Sequence, residues 1–169
     1  MAAVSPTHPF LAELAARGLL HQVTNLEGLE EKLGSQLTLY CGFDPTKDSL
    51  TIGNFVAVTL LRRFQLAGHV PVVVLGGGTG MIGDQSGKDA ERKLLSHEGI
   101  ERNVNGQRTI FERVLDFDGP NKAVILNNAE WLSGLGYIEV LRDVGKHFSV
   151  NMMIQKDSVK TRLEGRDQG

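Results

Sequence analysis

The stretch "VPVVVLGGGTGMIGDQSGKDAER", Val70 to Arg92, decides how the chain folds. Its first six residues are short, branched and apolar on both faces, as in a central parallel strand. The run enters three glycines at once, and glycines at the carboxyl end of a strand let a ligand come close to the backbone. Working outward, "QLTLYC" (36–41) reads as a second short buried strand and "KAVIL" (122–126) as a third, set off by the turn "DFDGPN" (116–121). Between the strands, "IGNFVAVTLLRRFQLA" (52–67) predicts a helix. Ile52, Val56, Leu60 and Phe64 fall four apart along it, and Gly68 ends it. A longer helix is predicted over about 96–115, where Ile100, Val104, Phe111, Val114 and Leu115 make an imperfect stripe.

Upstream, Phe10, Leu11, Leu14 and Ala15 have helical spacing, stopped by Gly18. Leu26, Leu29 and Leu33 share a stripe on a second short helix, with Gly34 as its stop. "YIEVLRDVG" and "VNMMIQKDSVKTRLEG" read as helices near the other end. The division expected is an N-terminal helical segment, 1–35, and an α/β domain, 36–169. Strand, helix, strand, helix, strand is the order of a parallel sheet with right-handed crossovers. Three strands make half of a doubly wound sheet, and the chain reads as though it stops early, in "RLEGRDQG".

At 169 residues the chain is one domain by length, and 41% hydrophobic content is enough for a core. No stretch nears a membrane span, and "MAAVSPTHPFLAELAARGLL" lacks the basic start of a signal peptide. The single cysteine, Cys41, excludes an internal disulfide and argues against a cysteine-bound metal. A reducing, cytoplasmic setting is the expectation, with no membrane partner. The formal charge of −2 carries no nucleic-acid footprint.

Gly78 to Gly83 satisfies the G-x-G-x-x-G dinucleotide pattern, but polar residues follow it where a helix should open. It also follows the second strand, and no acidic residue ends a strand at the distance that holds a ribose. A nicotinamide or flavin oxidoreductase therefore ranks third. Asp84 offers a carboxylate suited to an ammonium group. Lys88 and Arg92, four apart, suit a polyphosphate; taken alone, they read as surface ion pairs on a solvated loop. The link "CGFDPTKDSLTIGNF" (41–55) is longer and more polar than a connection requires, which marks a loop that receives a ligand.

In order and spacing, "YCGFDPTKDSLTIGNF", "GGGTGMIGDQSGKDAER", "NNAEW" and "LRDVGKHFSVNMM" resemble the N-terminal catalytic half of bacterial tyrosyl-tRNA synthetases. The resemblance runs from about residue 10 to the last residue. It implies a three-layer Rossmann-like sheet, the first half of a class I synthetase catalytic domain. Thr51-Ile52-Gly53-Asn54 stands where the class carries its "HIGH" signature, so both signature histidines are replaced. Asn54 retains an amide donor. Thr51 is shorter than imidazole and uncharged, and a lost transition-state donor costs about 3 kcal/mol in comparable sites.

Carried over by position, the resemblance implies that Tyr40 bonds the phenolic hydroxyl of a tyrosine substrate. A buried partner for that hydroxyl rejects phenylalanine, the discrimination this enzyme family illustrates. Asp84 would hold the α-ammonium, with Thr79, Asn128, Gly42 and Asp44 around the amino acid. Cys41, Gly42, Asp44, Thr46, Thr51, Gly53 and Asn54 would line the ATP site. Thr46, Thr51, Asn54, Lys88 and Arg92 would act on the phosphates. Without the resemblance, Tyr40 and Cys41 read as core residues, and Asn128 as the cap of a short helix. ATP, magnesium carried on its phosphates, tRNA(Tyr) and a homodimer are implied in the same way; no protein metal ligand is. The segments expected to complete the site, including the lysine-rich "KMSKS" loop, do not occur before Gly169. Half an active site is the expectation, with weak or no aminoacylation alone. The rival reading is a truncated, non-catalytic relative that binds a ligand or partner.

Overall fold

The computed structural model describes residues 5–82, 95–155 and 159–160. Helices α1 (Pro9–Ala16) and α2 (Leu26–Lys32) come first, then β1 (Thr38–Phe43), α3 (Ile52–Leu66) and β2 (Val70–Leu75). A 3₁₀ turn at Thr79–Met81, α4 (His97–Val114) and β3 (Val124–Asn127) follow. Short helices α5 (Ala129–Leu132), α6 (Tyr137–Asp143) and α7 (Val150–Ile154) come last. The three strands are parallel, in the order β1-β2-β3.

Local chemistry sets the boundaries. Asn25, Thr51, Ser96 and Ser149 each accept a backbone N–H of the first turn of the helix that follows. Gly68 takes φ +95° after α3, a backbone angle that would strain any other residue. Pro71 lies in the middle strand, but β3 pairs only from Val72 onward, so proline interrupts no bond on that side.

Register partners share a face of the sheet. Leu39, Cys41, Phe43, Val73, Leu75 and Ile125 turn to one side, where α3 and α4 cover them. Phe43 and Phe111 meet edge to face there, with ring centroids 4.8 Å apart. On the other face Val72 and Val74 are half-buried, and Tyr40 and Leu126 are exposed. The expectation that β2 is covered on both faces is met on one face among the described residues.

Helix α3 also departs from its expected stripe. Ile52 and Val56 are exposed, and Val58, Leu61 and Gln65 are the buried residues. The helix lies between two layers. Val58 and Leu61 pack in the sheet core, while Leu60 and Phe64 pack with Leu11, Leu14 and Leu33 of the N-terminal helices. A one-stripe reading cannot describe a helix buried on two sides. Glu30 joins α2 to the start of α1 by accepting the backbone N–H groups of Thr7 and His8.

Candidate functional site

The three strands end along one edge, and the residues just beyond them meet there. Gly76 N–H donates to the Phe43 carbonyl, and Asn128 N–H to the Leu75 carbonyl, each at 2.9 Å. Gly76, Gly77 and Gly78 are buried. A Cβ on Gly76 would lie 2.8 Å from Thr79 Oγ1 and 2.9 Å from Asp44 Oδ1, and one on Gly77 would overlap the Asn127 amide. A side chain at either position would have to push these neighbours off the strand end. The sequence reading has these glycines letting a ligand come close to the backbone; side chains of this chain already lie against them.

Asn128 is the hinge of the arrangement. Its Oδ1 accepts Gly78 N–H at 2.7 Å, and its Nδ2 donates to Thr79 Oγ1 at 3.1 Å. Thr79 Oγ1 donates in turn to the Gly76 carbonyl at 3.4 Å. Asn128 precedes α5 but makes no side-chain cap there. Its amide serves the loop after β2, which answers the capping alternative.

The remaining expected residues are distributed as follows. Tyr40 and Gly42 stand on the open face of β1, Tyr40 with 76% of its surface exposed. Cys41, between them, turns to the helical face and packs against the core. Burial pushes its thiol above the usual cysteine range. Asp44 and Thr46 are exposed on the loop after β1, where Thr46 N–H donates to the Asp44 carbonyl at 2.9 Å. Asp84, Lys88 and Arg92 lie outside the described residues.

Thr51 and Asn54 are bonded to each other. Asn54 N–H donates to Thr51 Oγ1 at 3.2 Å, Thr51 N–H donates to Asn54 Oδ1 at 3.2 Å, and the threonine hydroxyl gives its one proton to Asn54 Oδ1 at 2.6 Å. This is a capping box at the start of α3. Asn54 Nδ2 stays outside it. A Cβ on Gly53 would meet only Thr51 Oγ1, at 3.7 Å, so packing does not require glycine there. Among the described residues no three of His, Cys, Asp and Glu gather as a metal site.

A model of the family described as tRNA synthetases class I (W and Y) matches residues 31–169. The chain belongs to that family. It is 52% identical over 160 residues to the tyrosine–tRNA ligase of Chromobacterium violaceum, and 50% identical over 159 to that of Staphylococcus carnosus. Each match covers 94% of this chain and 38% of the relative, so the chain spans little more than a third of those enzymes. Among solved structures, a C-terminally truncated mitochondrial tyrosyl-tRNA synthetase of Aspergillus nidulans superposes with TM-score 0.75 at 26% identity. That match covers 95% of this chain and 48% of the other. The corresponding Coccidioides posadasii structure, at 24% identity and TM-score 0.70 over 92% of this chain and 45% of its own, supports the fold.

Three residues on α4 escaped the sequence reading. Asn103 Nδ2 donates to the Pro45 carbonyl at 2.9 Å, and Gln107 Nε2 donates to the Asp44 and Lys47 carbonyls, each at 3.1 Å. Gly106 lies against the Asp48 carbonyl. The visible signal was a polar residue, Gln107, three after Val104 and four before Phe111, on the apolar stripe itself.

Proposed function

We propose that this chain is the first half of a tyrosine–tRNA ligase active site, and that it binds L-tyrosine and ATP at the carboxyl edge of its sheet. The observation that carries the reading is the convergence of Asp44, Thr79 and Asn128 from three separate strand ends. Such an edge is where open α/β sheets hold ligands. The identity of about half over nearly the whole chain to ligases of that name supports the choice of substrate.

In this reading Tyr40, Gly42, Asp44, Thr79 and Asn128, with Asp84, form the tyrosine pocket. Cys41, Gly42, Asp44, Thr46, Gly53 and the first turn of α3 receive ATP, whose phosphates the helix N-terminus favours. Lys88 and Arg92 take the pyrophosphate. The tyrosine carboxylate oxygen bonds to the α-phosphorus as the bridging bond to pyrophosphate breaks, giving tyrosyl-adenylate. The 3′-terminal adenosine of tRNA(Tyr) then takes the tyrosyl group and AMP leaves. No protein nucleophile is needed, since positioning and charge stabilisation do the work. Magnesium enters as part of MgATP.

Because Thr51 donates its proton to Asn54, the side-chain donor left for phosphate at this helix start is Asn54 Nδ2, alongside the first-turn backbone N–H groups. The same reading divides the chain into a helical layer, 1–35, and the catalytic half-domain, 36–169. It places the protein in the cytoplasm as a homodimer. The exposed apolar side chains of Tyr137, Ile138, Leu141 and Phe148 support a protein-covered surface there.

Tyrosine-dependent ATP–pyrophosphate exchange tests the proposal, run on this chain alone and with the remaining catalytic half of a relative supplied. Weak or no exchange alone and clear exchange when complemented is the expected pair. A second reading, a non-catalytic relative, is favoured by the Thr51–Asn54 pairing. It requires tyrosine and ATP binding without exchange, even after complementation.

A further inference from the structure

We infer that Asn103, Gly106 and Gln107 of α4 are positioning residues that fix the Asp44–Asp48 loop and so set how tightly the chain holds ATP. The inference rests on the site reading proposed above.

Gln107 is 2% exposed, on the buried face of α4 that Ile100, Val104 and Phe111 share. Its Oε1 is buried and has no partner among the described residues. A buried acceptor left unpaired weakens a fold, and an apolar residue of equal volume avoids that loss. What the glutamine gains in return is two bonds from Nε2, to the carbonyls of Asp44 and Lys47. Asn103, one turn earlier on the same face, holds the carbonyl between them, that of Pro45. Gly106 completes the face, because any Cβ there would overlap the Asp48 carbonyl.

Two carboxamides and one missing side chain thus seat four loop residues against the helix. The side chains of Asp44 and Thr46 remain exposed, and Asp44 Oδ1 lies over Gly76. Displacing the loop therefore moves Asp44 relative to the glycine rim and Thr46 relative to the start of α3. None of the three α4 residues is assigned a ligand contact.

The test uses the 169-residue chain and its Gln107→Met variant, which keeps the volume, removes both donors and removes the orphaned acceptor. ATP binding is measured by calorimetry, amide exchange by mass spectrometry over 44–50 and over β2, and melting by circular dichroism. The expected result is at least tenfold weaker ATP binding and at least tenfold faster exchange over 44–50. Exchange over β2 stays unchanged, and the melting temperature holds or rises. A purely structural glutamine would not separate these readouts. Asn103→Ala, which leaves the core stripe intact, should repeat the pattern at smaller size.

Equal ATP binding by wild type and Gln107→Met overturns the inference. So does a lower melting temperature with faster exchange in β2, which would make Gln107 a packing residue. If the wild-type chain binds no ATP, the site reading fails instead. The loop exchange then decides the clamp alone: faster in Gln107→Met sustains it, and unchanged overturns it.

Discussion

Thr51 Oγ1 and Asn54 Oδ1 are 2.6 Å apart, joined by the threonine's only hydroxyl proton. Thr51 is thus committed to holding Asn54. Thr51→Val keeps the shape and removes the cap, so α3 loses an N-terminal partner for Asn54 N–H. The expected loss of stability is about 1 kcal/mol, with Thr51→Ser within a few tenths. Urea denaturation of the two variants checks it. Equal stability of valine and threonine would remove the cap's importance.

Gly106 yields a prediction of unusual sign. Replacing a helix-interior glycine by alanine ordinarily stabilises by about 1 kcal/mol. Here the new methyl meets the Asp48 carbonyl, which belongs to backbone and cannot swing aside. Gly106→Ala is expected to be net destabilising, by about 1–3 kcal/mol, as overpacked sites are. Chemical denaturation reads the sign, and a stabilised variant would mean that the loop yields freely.

These two sites mark what the sequence disclosed and what it hid. The strands, and the helices between them, were legible from branched apolar runs, as in β2, and from helical spacing, four apart along α3 and an imperfect stripe along α4. Thr79 and Asn128, named together from the order of motifs, are hydrogen-bonded to each other. The role of Asn128 was not legible, since a buried amide that bonds two different groups looks in sequence like a helix cap. Neither was the buried face of α3, because its stripe serves two layers at once. The clamp on the Asp44–Asp48 loop joins residues roughly sixty apart in the chain, and no local pattern encodes such a bond.

The Asn128 amide permits a graded test. Asn128→Ala leaves the buried Gly78 N–H without its acceptor and frees Thr79, at an expected cost of about 1–3 kcal/mol. Asn128→Asp keeps an acceptor for Gly78 and loses the donor to Thr79, so it should be the milder change at pH 7. Tyrosine affinity, followed by equilibrium dialysis, should fall in the same order. An aspartate variant as damaged as alanine would place the weight on the Thr79 bond instead.

His69 is expected to make stability depend on pH near neutrality. The side chain is buried beside the rings of Phe10 and Phe64, and its Nδ1 accepts Leu37 N–H at 3.2 Å, which requires an unprotonated nitrogen. Burial, and secondarily the charge of His8, lower its pKa from the usual value of about 6.5. The unfolded chain therefore binds the proton more readily than the folded one. Stability from this site is complete above about pH 6.5 and is lost as the pH falls below it, levelling off once the folded pKa is passed. Glu30, which bonds the His8 and Thr7 backbone, has its pKa lowered by those bonds, and its contribution fades only at more acid pH. Between pH 7 and 5 the melting temperature should decline. His69→Asn, which keeps an acceptor for Leu37 without a titrating ring, should flatten that decline; an unchanged slope in the variant would assign the dependence elsewhere.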